Sequence, residues 1–231
     1  MSIRAVPSAE GGHFGLMDRV YRNQRYVYDF TRKYYLFGRD SLIRDLGLKP
    51  AERLVEIGCG TARNLIAIAR RYPKTQLYGL DASAEMLETA RGQVARAGLE
   101  DRIILVHGLA ENLSPSVFGQ DGFEHALFSY SLSMIPDWRQ ALQASVQALS
   151  NQGIVHIVDF GDFQKLPGRT ALRAWLRIFH VSPRAELLTE LESELGQNCL
   201  ILLPGRYAFR LSLPKGKMGA YACGPIDTGP R

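Results

Sequence analysis

From residue 51 onward, short runs rich in Val, Ile and Leu alternate with stretches whose apolar positions recur at helical spacing. Strands buried on both faces read as continuous apolar runs, so this alternation predicts a parallel sheet wrapped by helices. Strands are expected at Arg53–Ile57, Gln76–Leu80, Ile103–His107, Phe123–Ser129 and Gly153–Asp159, with helices between them. "NCLILLPGRYAFRLSL" adds two strands around Pro204-Gly205, a hairpin on the sheet edge. The expected fold class is α/β, with a mostly parallel seven-stranded sheet, an antiparallel edge strand and helices on both faces. Ahead of it, "LMDRVYRNQRYVYDFTRKYYLF" has helical period, and "DSLIRDLGL" predicts a second short helix capped by Asp40 or Ser41. The chain therefore divides into a flexible start at 1–16, a helical cover at 17–50, a domain at 51–213 and a Gly/Pro-rich, aperiodic tail at 214–231 expected to be disordered.

Composition narrows this little: 231 residues, 46% hydrophobic and 22% charged, describe one ordinary globular domain. Residues 1–14 lack the apolar core of a signal peptide, and no run approaches the ~18 apolar residues of a spanning helix, which sets the expectation of a cytoplasmic protein. Cys59, Cys199 and Cys223 follow neither disulfide nor metal spacing, so reduced thiols and no metal are expected. Charge is uneven. Residues 1–50 hold 9 Lys+Arg against 5 Asp+Glu, and 161–231 hold 10 against 6, while the middle holds 9 against 12. Two basic flanks around a mildly acidic centre suggest an anionic surface as partner.

The candidate chemistry begins at "LVEIGCGTARNLIAIARRYPKTQLYGLDAS", residues 54–83. A loop at the carboxyl end of the first parallel strand lies where open α/β sheets bind ligands, and Gly58 and Gly60 let its backbone approach one closely. A dinucleotide fingerprint would need glycine where the chain has Arg63, and the G-K-[ST] of a phosphate loop is absent. What remains is Glu56 before the first glycine and Asp81 at the tip of the second strand, a carboxylate able to accept from both hydroxyls of a ribose. A nucleoside without phosphates, carrying an amino-acid tail and a positive centre, suits that mixture.

On these residues the chain resembles the class I S-adenosylmethionine (SAM)-dependent methyltransferases, whose fold is Rossmann-like. "VEIGCGTA" is similar to their glycine motif with Ala62 at the usual third glycine, and "GLDAS" with Met86 to their second motif. "HGLAENL" carries Leu109 where an aspartate often reads the adenine amino group. The resemblance implies SAM as cofactor, S-adenosylhomocysteine as product, and contacts from Glu56, Gly58, Cys59, Gly60, Asn64, Asp81, Ala82, Met86, Leu109, Ala110, Glu111 and Ser129.

The acceptor is read from other segments. The fourth strand runs into "FSYSLSMIPDW" rather than the Asn/Asp-Pro-Pro-Tyr turn of nucleobase amino methylases, and no nucleic-acid-binding motif appears. Five of the ten tyrosines lie between 21 and 35. These rings either pack the cover onto the sheet or roof the ligands, where ring faces favour a sulfonium and a quaternary ammonium. With "FSYSLSMIPDW" and "IVDFGD", this segment resembles the betaine-lipid N-methyltransferases, which trimethylate the amine of a diacylglyceryl-homoserine lipid; the resemblance covers about 17–213. It implies a lipid or small amine acceptor near Tyr28, Tyr35, Ser129, Tyr130 and Asp159. Asp159 would orient the amine or take its proton through water, or else serve as a cap or strand end. The alternatives are another aminophospholipid, a small amine, a quinone-type ring, or SAM binding without turnover. His107, His125 and His156 are read as satisfied core residues. "GRTALRAWLRIFH" sets Arg169, Arg173 and Arg177 on one helical stripe and Leu172, Trp175, Leu176 and Phe179 on another, which is either a reversible contact with an anionic membrane or a helix covering the sheet.

Overall fold

The computed structural model describes residues 36–164 and 184–222, together with residues 168 and 170. Its strands are β1 (Arg53–Ile57), β2 (Gln76–Asp81), β3 (Ile103–His107), β4 (Phe123–Ser129), β5 (Leu149–Phe160), β6 (Ile201–Leu202) and β7 (Ala208–Pro214). They form one sheet in the order β3-β2-β1-β4-β5-β7-β6. The first five pair in parallel, and β7 is antiparallel to both β5 and β6. The expected mostly parallel seven-stranded sheet with its edge hairpin is thus present.

Among the described residues five helices, α1 (Arg39–Asp45), α2 (Arg63–Arg71), α3 (Ala84–Arg96), α4 (Trp138–Ala148) and α5 (Ala185–Leu195), cover the two faces. The split follows from the period of two along a strand. Leu54, Leu77 and Leu127 join one buried cluster with Leu42 of α1, Leu65 and Ile68 of α2 and Leu87 of α3. Their neighbours Val55, Tyr78 and Phe128 join the other with Leu142 and Val146 of α4 and Leu188 of α5. Each such fully buried side chain contributes ~1.5–3 kcal/mol, so the continuous apolar runs are what hold the helices on both faces.

Three expectations are corrected. Helix α1 begins at Arg39 after Gly38, whose φ of 83° starts it without a side-chain cap. Ser41 instead donates its hydroxyl back to the Gly38 carbonyl at 2.8 Å. Strand β5 begins at Leu149, not Gly153, because Phe123 pairs with Leu149 across a register shift and the polar Ser-Asn-Gln stays in strand conformation. The tail is ordered through residue 222. Two short turns, Lys215–Lys217 and Gly219–Ala222, bring Met218 and Tyr221 into the second cluster, with Tyr221 against Trp138 at 6.2 Å. Two well-placed apolar residues suffice to dock a stretch with no period of its own. The remainder of the expected tail, the flexible start and the tyrosine-rich part of the cover lie outside the described residues.

At the opposite end of the sheet from the glycine loop, a polar chain through two buried histidines crosses four segments. His125 lies 3.1 Å from the Glu52 carboxylate and 2.9 Å from His156, which lies 2.8 Å from the Ser212 hydroxyl. Glu52 can only accept, which sets the direction: His125 Nε2–H donates to Glu52, His156 Nε2–H to His125 Nδ1, and Ser212 O–H to His156 Nδ1. Both rings are neutral, since burial holds His125 below the ordinary 6.5 and, with His125 beside it, lowers His156 to about 3. An unfolded chain takes up these protons near 6.5, so their stabilisation is complete above that pH and is lost as pH falls toward 3. Buried Asp159, raised to about 6 by desolvation, acts in the opposite direction between 6 and 3.8. In urea unfolding across this range, His156→Gln is expected to flatten the parent's loss of stability at acid pH. Parallel pH profiles for the two proteins would refute the assignment.

Candidate active site

The site is built where β1, β2 and β4 end. After Ile57 the chain turns through Gly58 at φ 72°, and its N–H and that of Cys59 donate to the Leu80 carbonyl at 2.8 and 3.1 Å. A Cβ on Gly58 would sit 2.5 Å from the Ser131 Cβ, so only glycine fits beneath the turn that follows β4. Gly60 has φ 55° and Ala62 φ 61°, so Ala62 takes the left-handed conformation that a glycine there would adopt freely. Asp81, carried by β2 to the same height, accepts from Gly60 N–H at 2.7 Å and Ser83 N–H at 2.9 Å. These bonds orient Asp81, whose carboxylate has about four acceptor positions.

These residues open into a cleft that encloses about 760 Å³ of empty space, open solvent included. The glycine loop and Asp81 form one side. Ala82, Met86, Leu109, Ala110 and Glu111 form the second, and Tyr130, Ser131, Met134, Ile135 and Pro136 form the third. Glu56, Cys59, Asn64 and Ser129 line a smaller cavity of about 370 Å³ that shares Gly58 with the first. Asn64 donates to Glu56 at 2.6 Å and holds that buried carboxylate in place. Burial, then the nearby Asp81 and Glu56 charges, push the Cys59 thiol up, so it lines the wall as a neutral group. The structure thus brings all twelve expected cofactor residues to two adjoining cavities.

The acceptor residues fare differently. Tyr130 lines the main cavity at φ 56°, but its hydroxyl donates to the Phe37 carbonyl and its ring packs edge-on against Phe160 at 4.7 Å. Burial raises its pKa, and its proton is committed to the Phe37 carbonyl. Ser129 lies in the smaller cavity. Asp159 is fully buried and lines neither cavity: Ser133 N–H and Oγ–H and the Phe160 N–H bond its two oxygens at 2.9, 2.6 and 2.7 Å. The expected contact with the acceptor is corrected to the capping alternative, in which Asp159 fixes the turn after β4. His107 is also corrected: it is exposed at the tip of β3 and bonds the Ala82 carbonyl at 3.0 Å. Tyr28 and Tyr35 lie outside the described residues. Sequence reasoning missed Arg39 and the Ser131 and Met134–Pro136 wall. The apolar Met-Ile-Pro directly after a strand was the available signal for the wall; nothing local marked Arg39.

The residues present fit SAM: apolar walls for a nucleoside, an oriented carboxylate for its ribose, and an adjoining polar chamber for an amino-acid tail. Residues 54–153 match the family model described as a methyltransferase domain. The sheet order gives a Rossmann-like fold shared with solved SAM-dependent methyltransferases.

Among curated proteins, the chain is similar to the demethylmenaquinone methyltransferase of Geobacillus kaustophilus, 30% identical over 124 residues that cover 53% of this chain and 50% of that one. It is 29% identical over 135 residues to that of Bacillus subtilis, covering 56% and 54%. The chain therefore spans about half the length of these curated relatives. Among solved structures, a SAM-dependent methyltransferase from Aquifex aeolicus overlaps 83% of this chain and 96% of its own, with a TM-score of 0.59 and 15% identity, a likeness of fold alone.

Proposed function

We propose that this chain is an enzyme that transfers the methyl group of SAM to an acceptor seated beside Tyr130 and Ser131. The observation that carries the reading is the single cleft in which Asp81, the glycine loop and the wall after β4 converge. Bound SAM would supply an electrophilic methyl, whose bond to sulfur breaks as the acceptor's lone pair forms the new bond. The protein's own contribution is position: Asp81 and the glycine turn hold the nucleoside, and the apolar wall excludes water from the approach line. Ser131 donates to the Ile57 carbonyl at 2.6 Å, and Asp159 holds Ser133, so the wall is tied to β1 and β5. An amine acceptor would release its proton to water after transfer, whereas a ring carbon would release one as aromaticity returns.

Two acceptors compete. A quinone-type ring is the one that the curated relatives' name favours, and the comparisons back it better than any other. The amine of a diacylglyceryl-homoserine lipid rests on sequence resemblance, with one supporting observation: the segment that carries it reaches the site, since Phe37 receives the Tyr130 hydroxyl and Leu36 and Arg39 line the smaller cavity. Either acceptor carries long apolar chains, which suits reversible contact with an anionic membrane, although the basic amphipathic segment at 168–180 falls largely outside the described residues. Among the described residues no helix is long and apolar enough to cross a membrane.

Incubation of the purified chain with methyl-labelled SAM and, separately, the homoserine lipid, an aminophospholipid, a small amine and a demethylated quinol tests all the readings. Label in an amine alone removes the quinone reading, and label in the quinol alone removes the amine. SAM binding with no labelled product would leave a non-catalytic SAM-binding protein.

A further inference from the structure

The third side of the cleft is held less by its own backbone than by what it is tied to. It follows β4 as a 3₁₀ turn, Leu132–Met134, and brings Met134 and Ile135 to the cleft. The turn's own bonds run from Met134 N–H to Ser131 and from Ile135 N–H to Leu132, at 3.0 and 3.2 Å. Such tight turns have poorer hydrogen-bond geometry than an α-helix, so side-chain ties weigh heavily in placing them. Asp159 supplies the central tie. Its Oδ2 accepts the Ser133 N–H and its Oδ1 the Ser133 hydroxyl, with both residues fully buried. Hydrogen bonds rather than an ion pair keep this carboxylate charged among the described residues, and burial raises it to about 6. Around it, Phe209 is its partner on β7, and Leu132 and Ser133 face it from the turn. Tyr130 faces it from the end of β4 as a phenol that burial keeps neutral, and Arg39 of α1 acts on Tyr130 in turn. A protonated carboxyl cannot hold the turn in the same way. Each oxygen already meets an N–H, Ser133 on Oδ2 at 2.9 Å and Phe160 on Oδ1 at 2.7 Å, so the oxygen that gains a hydrogen fails one of them.

We infer that Asp159 is a positioning residue for the methyl acceptor, acting through Ser133: ionised, it seats Met134 and Ile135 against the cleft, and protonated, it releases them. The assignment rests on the proposed methyl transfer, which makes this turn the acceptor's wall. Control falls on one side of the cleft. Gly60 is tied to Asp81, and Gly58 and Cys59 to the Leu80 carbonyl, so the cofactor side does not depend on Asp159. Ser131 also stays bound to the Ile57 carbonyl at 2.6 Å, so the turn swings about that end rather than detaching. Acidification through about 6 therefore loosens the hold on the acceptor while the nucleoside side keeps its shape.

The experiment follows the methyl group of Met134 by NMR against pH in the chain labelled at methionine methyls, with the resonance assigned by Met134→Leu. In the parent it is expected to move with one midpoint near 6. Asp159→Asn should hold it still at the parent's acid position, because the amide offers the turn one acceptor oxygen and cannot ionise. Ser133→Ala should raise the midpoint, since the lost hydroxyl bond favours the charged form. Two measurements connect the wall to the reaction. SAM affinity of Asp159→Asn by calorimetry near neutral pH should stay within about twofold of the parent. With whichever acceptor of the labelling panel takes the methyl, its acceptor KM should rise ~3- to 10-fold, the equivalent of one hydrogen bond. A Met134 resonance that ignores pH, or titrates alike in parent and Asp159→Asn, overturns the assignment. Equal loss of SAM and acceptor binding would make Asp159 merely structural and overturn it too. Should Asp159→Asn fail to fold, the parent and Ser133→Ala decide, and a midpoint that Ser133→Ala leaves in place overturns the tie. A parent that binds no SAM or labels no acceptor overturns the methyl-transfer reading and this wall's role together, whereas an unmoving Met134 in a chain that binds SAM overturns the wall's role alone.

Discussion

Asp81→Ala is expected to weaken SAM binding by about 1.5–3 kcal/mol, roughly 10- to 150-fold, the range for hydrogen bonds to a charged group. The carboxylate has two tasks. One is the ribose contact implied by its place at the tip of β2. The other is already visible without ligand, since it accepts from Gly60 and Ser83 N–H groups and ties the glycine loop to the start of α3. Some stability should therefore be lost along with affinity. Asp81→Asn loses the charge and keeps only one of the two loop bonds, because the Gly60 and Ser83 N–H groups meet different oxygens. Calorimetric titration with SAM and a urea midpoint for each variant form the test. Unchanged SAM affinity in a folded Asp81→Ala protein would end the assignment of this carboxylate to the cofactor.

Gly58→Ala should be the most damaging small change in the site, because two penalties coincide. A φ of 72° costs an alanine ~1–2 kcal/mol of backbone strain. The new methyl would also lie 2.5 Å from the Ser131 Cβ, and crowding a packed position typically costs ~1–3 kcal/mol more. Ser131 cannot yield easily, since its hydroxyl is held by the Ile57 carbonyl. The loop must then move away from the wall after β4, which takes apart the cleft between them. A drop of ~2–5 kcal/mol in unfolding free energy and loss of measurable SAM binding are expected. Ala62 provides the internal contrast: it already holds φ 61° with a methyl group in the buried cluster, so left-handed backbone alone is tolerated in this loop. A urea midpoint and SAM affinity like the parent's would show that Ser131 does not confine Gly58.

The cofactor half of the site was legible because it is local. A strand, a glycine turn and an acidic residue one strand later lie within thirty residues, and the βα order alone brings Gly60 within 2.7 Å of Asp81. The other half depends on long-range approach. Asp159 read as a group at a strand tip, which it is, yet its oxygens are bonded by a turn 26 residues earlier. Tyr130 read as a site residue, and it does line the cleft, but its hydroxyl is taken by Phe37, 93 residues away. No local pattern encodes either pairing.

Sequence by itself determined the sheet, its hairpin edge, the helices on both faces and the glycine loop after β1, because periodicity and turn chemistry act over a few residues. Tertiary structure alone decided which way the carboxylates face, that residues 214–222 dock through Met218 and Tyr221, and that Arg39 from the cover enters a polar chamber beside Glu56. Those outcomes follow from what each side chain meets when segments far apart in the chain are pressed together. A buried charge or an orphaned hydroxyl acquires its meaning only from that company.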